Sequence, residues 1–222
     1  MPDATIYSDV DGVVGRASTV GWSDALTGAG TISSDTGTSH SAGVYSRVSG
    51  GRGATNYYNN RSFFAFDCSS ASGTVDSATV KIYCDNIGTI GPPASIRLTG
   101  ASSVSTAIDN GDYGNVYSSG TTWFDDYSPF VTISTTAGYH SFVLNNEGIS
   151  ALQTAIGSGT FTCALVSNAY DYIGSSPSSG GAYTRIAVSF KEYTETSRDP
   201  KLEIDYTAAV TENATFFGSN FK

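Results

Sequence analysis

Residues 61–83, "RSFFAFDCSSASGTVDSATVKIY", decide how this chain folds. An aromatic run (Phe63, Phe64, Phe66) meets a break of small residues, then a second run in which apolar and polar side chains alternate. Ala78, Val80, Ile82 and Cys84 fall on one side of that second run, and Thr79, Lys81 and Tyr83 on the other. Successive strand residues point to opposite faces, so a two-residue period marks a strand with one core face and one wet face. Such strands belong to antiparallel sheets, because parallel sheets covered by helices show continuous apolar runs instead.

The same period recurs at Phe161/Cys163/Leu165, at Ile186/Val188/Phe190 and at Leu202/Ile204/Tyr206, with shorter examples at Ile96/Leu98 and His140/Phe142/Leu144. One segment breaks it. In "NNEGISALQTAIGSG" (145–159), Ile149, Leu152 and Ile156 share a face at helical spacing, Asn145 or Asn146 can cap the start, and Gly157 can end it. The pattern predicts an all-β antiparallel sandwich with one short crossover helix at about residues 147–156. Gly-, Ser- and Thr-rich stretches at 26–43, 48–60 and 173–183 read as long loops. No internal repeat or composition shift divides the chain. A single sandwich is expected over residues 1–206, less regular over 1–60, with an aromatic tail at 207–222.

Only 14% of the 222 residues are charged, while Gly reaches 25 and Tyr 14, a composition suited to β-structure with long loops. Aromatics at 12% supply enough apolar surface for collapse. A net charge of −9 without a Lys/Arg cluster argues against a nucleic-acid groove, which needs a positive stripe. No apolar run approaches the roughly 20 residues of a membrane-spanning helix, so no membrane insertion is expected. The start "MPDATIYSDVDGVVG" carries neither the basic residues nor the apolar segment of a secretory signal, which points to synthesis in a cytoplasm. Cys68, Cys84 and Cys163 are odd in number, lack CxxC spacing and follow the apolar phase of their strands. They read as small buried hydrophobes in a reducing compartment.

The blocks "RSFFAFD" (61–67), "SATVKIY" (77–83) and "RDPKLEIDY" (198–206) resemble disaggregatase-related (DNRLRE) domains, which are also classed among carbohydrate-binding modules. The resemblance spans roughly residues 61–206 and implies a jelly-roll sandwich. Arg61 and Asp67 match recurrent positions of that family and serve here as markers of the fold, bonding loop carbonyls and amides at the ends of a strand. A free-standing form beginning "ATIYSDVDG" and ending "NATFFGSNF" is similar to virion proteins of tailed bacteriophages. That likeness implies a subunit made in the host cytoplasm without a signal peptide and released by lysis.

Residues able to carry chemistry are few. His40 sits in a Gly/Ser stretch and His140 at a strand start, and neither belongs to a GxSxG or HExxH motif, so no catalytic residue is assigned. Asp125 and Asp126 resemble a glycosidase pair in type, but neighbours on a strand face opposite ways. "DNGD" (109–112) has two readings: an Asn110–Gly111 turn, or a structural calcium held by Asp109 and Asp112. Carbohydrate recognition needs aromatic faces flanked by hydrogen-bonding groups. "NYYNNR" offers Tyr57 and Tyr58; "WFDDY" offers Trp123, Asp125, Asp126 and Tyr127. In both loops, capping of the open ends of the sandwich is the competing structural role. Phe216, Phe217 and Phe221 in the tail are the assembly candidates, since exposed aromatic surface invites a partner.

The function expected from these readings is a non-enzymatic virion structural protein, a capsid decoration, tail or fibre subunit. Its partners would be other virion proteins, copies of itself and host-surface glycans, with no cofactor. The alternative is a carbohydrate-binding module of a bacterial polysaccharide-processing system.

Overall fold

The computed structural model describes residues 2–51, 54–90, 94–104, 106–119, 122–123, 126–133, 136–157, 159–178, 183–192 and 196–207. For residues 41, 51, 54, 86–90, 117–119 and 122–123 it describes the backbone only. The chain runs through β1 (Ala4–Tyr7), β2 (Val10–Ser18), helix α1 (Trp22–Leu26), β3 (Ile32–Ser34), β4 (Ser39–Gly51), β5 (Ala54–Asp67), β6 (Thr74–Ile90) and β7 (Ser95–Gly100). A 3-10 helix at Asn110–Val116 leads to the short strands β8 (Tyr117–Ser119), β9 (Thr122–Trp123) and β10 (Val131–Thr132). Then come β11 (Gly138–Val143), α2 (Asn146–Ala155), β12 (Thr160–Ser167), a π-turn at Asn168–Tyr172, β13 (Tyr183–Ser189) and β14 (Lys201–Thr207).

The strand pairings among the described residues are all antiparallel, and the fold is an all-β sandwich. One sheet orders β1, β14, β6 and β11. The other orders β3, β2, β5, β12, β7 and β10. Two long strands carry the chain from one sheet to the other. The first half of β5 pairs with β4, residues 84–90 of β6 pair with β13, and β4 and β13 pair with each other. A register shift between Ile186 and Val188 marks the bend where β13 leaves this connecting wing and enters the core.

The alternation read from the sequence gives the core. Phe64, Phe66 and Cys68 meet Val80, Ile82, Cys84, Ile96, Leu98, Phe142, Leu144, Phe161, Cys163, Leu165, Ile186, Val188, Phe190, Leu202 and Ile204 in one buried cluster. Helix α2 closes one end through Leu152 and Ala155. It starts where the sequence predicts, with Asn145 Oδ1 accepting from the Gly148 amide at 3.0 Å, and it ends before Gly157 at φ +80°. The cap satisfies an otherwise orphaned N–H, so Asn145→Ala is expected to lower stability by about 1 kcal/mol in urea unfolding.

The sheet containing β5 is buried on its outer face as well, which the sequence reading did not anticipate. Val14, Phe63, Ala164 and Val166 pack under Ala101, Ile108, Tyr113 and Val116, and Tyr170, Trp22, Ala25 and Val48 form a second patch beside Tyr57. The cover is made of the 3-10 helix, α1 and the π-turn. Arg61, fully buried, ties all three to the sheet. It meets Asp171 through two bonds of 2.7 Å, donates to the carbonyls of Tyr113 (2.6 Å) and Leu26 (2.9 Å), and lies 4.0 Å from the Tyr113 ring centroid. Asn59 extends the network, accepting from Ser46 Oγ at 2.7 Å and donating to the Tyr113 hydroxyl at 2.8 Å.

The stretch 48–60, expected as a loop, is strand where it is described, and 26–43 is strand at residues 32–34 and 39–43. Residues 39–51 and 54–60 form the β4–β5 hairpin, in register from Gly51 opposite Ala54 to Tyr45 opposite Asn60. Asn110–Gly111 opens a 3-10 helix in place of a hairpin turn. The cysteines are buried thiols, as expected. Burial lifts the Cys68 thiol to about 11 and the Cys84 thiol to about 12, and raises that of Cys163 too. Because the thiolate is the nucleophile, native protein is expected to resist iodoacetamide at pH 8 while urea-unfolded protein takes three labels, counted by mass.

Candidate functional site

The connecting wing presents a patterned outer face. Along β4, Val44, Ser46 and Val48 turn inward and are buried, which leaves Tyr45 and Arg47 outside. Along β13, Thr184 and Ile186 turn inward, leaving Tyr183 and Arg185. The antiparallel register sets Tyr45 opposite Arg185 and Arg47 opposite Tyr183, so the types alternate like a checkerboard. On the other side of β4, Tyr58 faces Arg47 and Asn60 faces Tyr45.

Between these side chains lies an open groove of about 380 Å³, lined by Ala42, Tyr45, Arg47, Tyr183 and Arg185. That volume falls within the usual range for small-ligand sites, roughly 300–1,000 Å³. Arg47 Cζ stands 5.8 Å from the Tyr183 ring centroid, and Arg47 Nη1 donates to the Tyr45 hydroxyl at 3.4 Å. The Tyr45 and Tyr58 rings are tilted by 40° with centroids 6.4 Å apart. The bond to the Tyr45 hydroxyl, with the neighbouring Tyr183 and Tyr58 hydroxyls, holds Arg47 even more firmly protonated than usual. Beside the groove, His40 Nδ1 accepts from the Ala42 amide at 3.2 Å, and burial, with the Arg185 charge adding, lowers its pKa. The arrangement offers aromatic faces, hydroxyls and forked cationic donors on a rigid sheet. It can stack against a flat ligand face and hydrogen-bond its polar rim.

The residues expected to bind have different fates. Tyr58 flanks the groove, whereas Tyr57 faces the opposite side of β5 and packs near Trp22 and Tyr170. Adjacent strand residues must part in this way, so the loop that was to present both does not exist. Asp126 forms an ion pair with Arg97, and its neighbour Tyr127 stacks on Phe161 at 5.3 Å. Trp123 lies in β9 opposite Tyr117, with its side chain outside the described residues, as is all of Asp125. Asp112 is buried, its carboxylate accepting from the Asp109 amide and from Asn115 Nδ2, while Asp109 Oδ1 accepts from the Gly111 amide at 2.6 Å. Both acids therefore hold the turn of the 3-10 helix together. Phe216, Phe217 and Phe221 lie outside the described residues. His140 is half-buried on β11 opposite Ile82, and burial lowers its pKa.

Sequence reasoning missed Tyr45, Arg47, Tyr183 and Arg185. The signal was present in "VYSRV" (44–48) and "YTRIAV" (183–188), two runs that share a Tyr-x-Arg phase. Asp67, at the end of β5, accepts from the Ser69 amide at 2.9 Å as expected, whereas Arg61 lies inside β5 and, besides bonding loop carbonyls, pairs with buried Asp171. No protein-family model and no curated protein matches this chain.

Proposed function

We propose that this chain is a non-enzymatic binding subunit, a jelly-roll sandwich displayed on the particle of a tailed bacteriophage, with the β4–β13 groove turned to host-surface glycans. The groove carries this reading. Its tyrosines supply the stacking faces and its arginines the hydrogen-bond donors that sugar recognition requires, and all four stand on strands whose undersides are buried. The resemblance of residues 61–206 to carbohydrate-binding jelly rolls points the same way. The likeness of the two ends to virion proteins supports the particle as its location.

Two measurements test the two halves. In calorimetric titration with oligosaccharides from bacterial surface polysaccharides, Tyr45→Ala and Tyr183→Ala are each expected to weaken binding at least about tenfold, since an aromatic platform contributes roughly 1–3 kcal/mol. Tyr83→Ala, on the outer face of the other sheet, should leave binding unchanged. Mass spectrometry of purified particles should find the chain in many copies. Binding retained by a chain absent from particles would favour the alternative, a module of a bacterial polysaccharide-processing system.

A further inference from the structure

We infer that the groove selects acidic glycans, whose sugar units carry carboxylates, and that Arg47 and Arg185 are the residues that read the charge. The inference rests on the glycan reading and narrows it to a ligand class.

The chain carries a net charge of −9, so a cationic spot on its surface is a local feature. The six ion pairs among the described residues engage Arg16, Arg61, Lys81, Arg97, Arg198 and Lys201. Arg47 belongs to none of them. Its neighbours are the tyrosines 45, 58 and 183, which hydrogen-bond or lie beside the guanidinium without neutralising it. Arg47 and Arg185 are both exposed and line the same groove. In the register they are diagonal neighbours across β4 and β13, a placement that separates Cα atoms by about 7–8 Å. Two long side chains from such positions can converge on one carboxylate or hold two successive ones. The planar fork of a guanidinium matches the two oxygens of a carboxylate, which makes arginine the apt residue for that contact. A tyrosine beside each arginine gives the sugar ring a surface to lie on while its acid group meets the fork.

The test uses tetrasaccharides of galacturonate, of mannuronate and of alternating glucuronate and N-acetylglucosamine, each beside its carboxyl methyl ester. Calorimetric titration of the full chain is expected to show binding to at least one acid, with its ester at least about tenfold weaker. Arg47→Gln and Arg185→Gln should each weaken the acid by roughly tenfold or more, the usual loss for a charge-assisted bond, and the ester by much less, so that the preference for acid over ester collapses. Both substitutions lie on an exposed strand face, and unchanged thermal unfolding verifies that the sheet is intact. Equal binding of acid and ester, lost in Tyr45→Ala but kept in the arginine variants, would overturn the charge selection and leave the glycan reading standing. No binding to acids, esters or neutral surface oligosaccharides would overturn both.

Discussion

Replacing Arg61 with alanine is expected to lower stability by about 3–5 kcal/mol in urea unfolding, as much as emptying a buried aromatic site in the core. The pair with Asp171 is fully buried on both sides, so removing the cation leaves a carboxylate without its partner in a dry layer. The carbonyls of Tyr113 and Leu26 lose a donor in the same stroke, and the Tyr113 ring loses the guanidinium stacked against it. The damage should be local at first. Arg61 joins α1, the 3-10 helix and the π-turn to β5, so amide exchange should accelerate at residues 22–27, 110–116 and 168–173 before it does in β6 or β14. The double variant Arg61→Met with Asp171→Leu removes both charges together and should recover part of the loss, because the desolvation penalty of the pair disappears with it. A loss below about 1 kcal/mol for Arg61→Ala would mean that the outer layer stays in place without this clamp.

The second large effect concerns Asp11. It is buried in β2 opposite Phe64, and burial, with the Glu192 charge adding, pushes its pKa from 3.8 to about 7. The Lys191 amide, which donates to the carboxylate at 3.1 Å, opposes that rise only in part. A folded-state pKa above the unfolded one means that the native protein holds the extra proton between pH 4 and 7. Stability is then fully favoured below about pH 4 and falls as pH rises through the window, by up to about 4 kcal/mol for a shift of this size. Asp11→Asn keeps an oxygen for the Lys191 amide and carries no charge. The variant should be more stable than the parent by about 2–4 kcal/mol at pH 8, with the difference closing towards pH 4. Measuring both proteins across pH 4–8 isolates this group together with its charge coupling to Glu192. A constant difference over the range would rule out titration of Asp11 as the cause.

The parts of the fold that were legible in the sequence are those in which one physical rule acts alone. Ala78, Val80, Ile82 and Cys84 alternate with polar partners because one face of β6 meets the core and the other meets water. Helix α2 is legible because Asn145, the Ile149/Leu152/Ile156 spacing and Gly157 agree with one another. The rest was hidden where two rules overlap. Phe63, Ala164 and Val166 break the alternation because irregular segments cover the outer face of β5 and β12, and such segments have no period of their own. Tyr57 and Tyr58 look like a pair until the strand sends them to opposite faces. Gly50 and Gly51 with Asn56 and Asn59 imitate a loop, yet the β4–β5 ladder runs through all four. The groove needed two strands 138 positions apart, Tyr45 and Tyr183, to be brought side by side by the register of the wing. The Tyr-x-Arg phase is legible in each run alone, but nothing in either run announces that the two pair.

On the proposed reading, the β4–β13 groove is the surface that meets a sugar. Titration of isotope-labelled chain with the tightest-binding oligosaccharide, followed by amide and arginine side-chain resonances, tests it most directly. Shifts are expected to centre on Tyr45, Arg47, Tyr58, Tyr183 and Arg185 and to fade towards β11 and β14. Shifts centred on any other face, with these five unmoved at saturation, would contradict it.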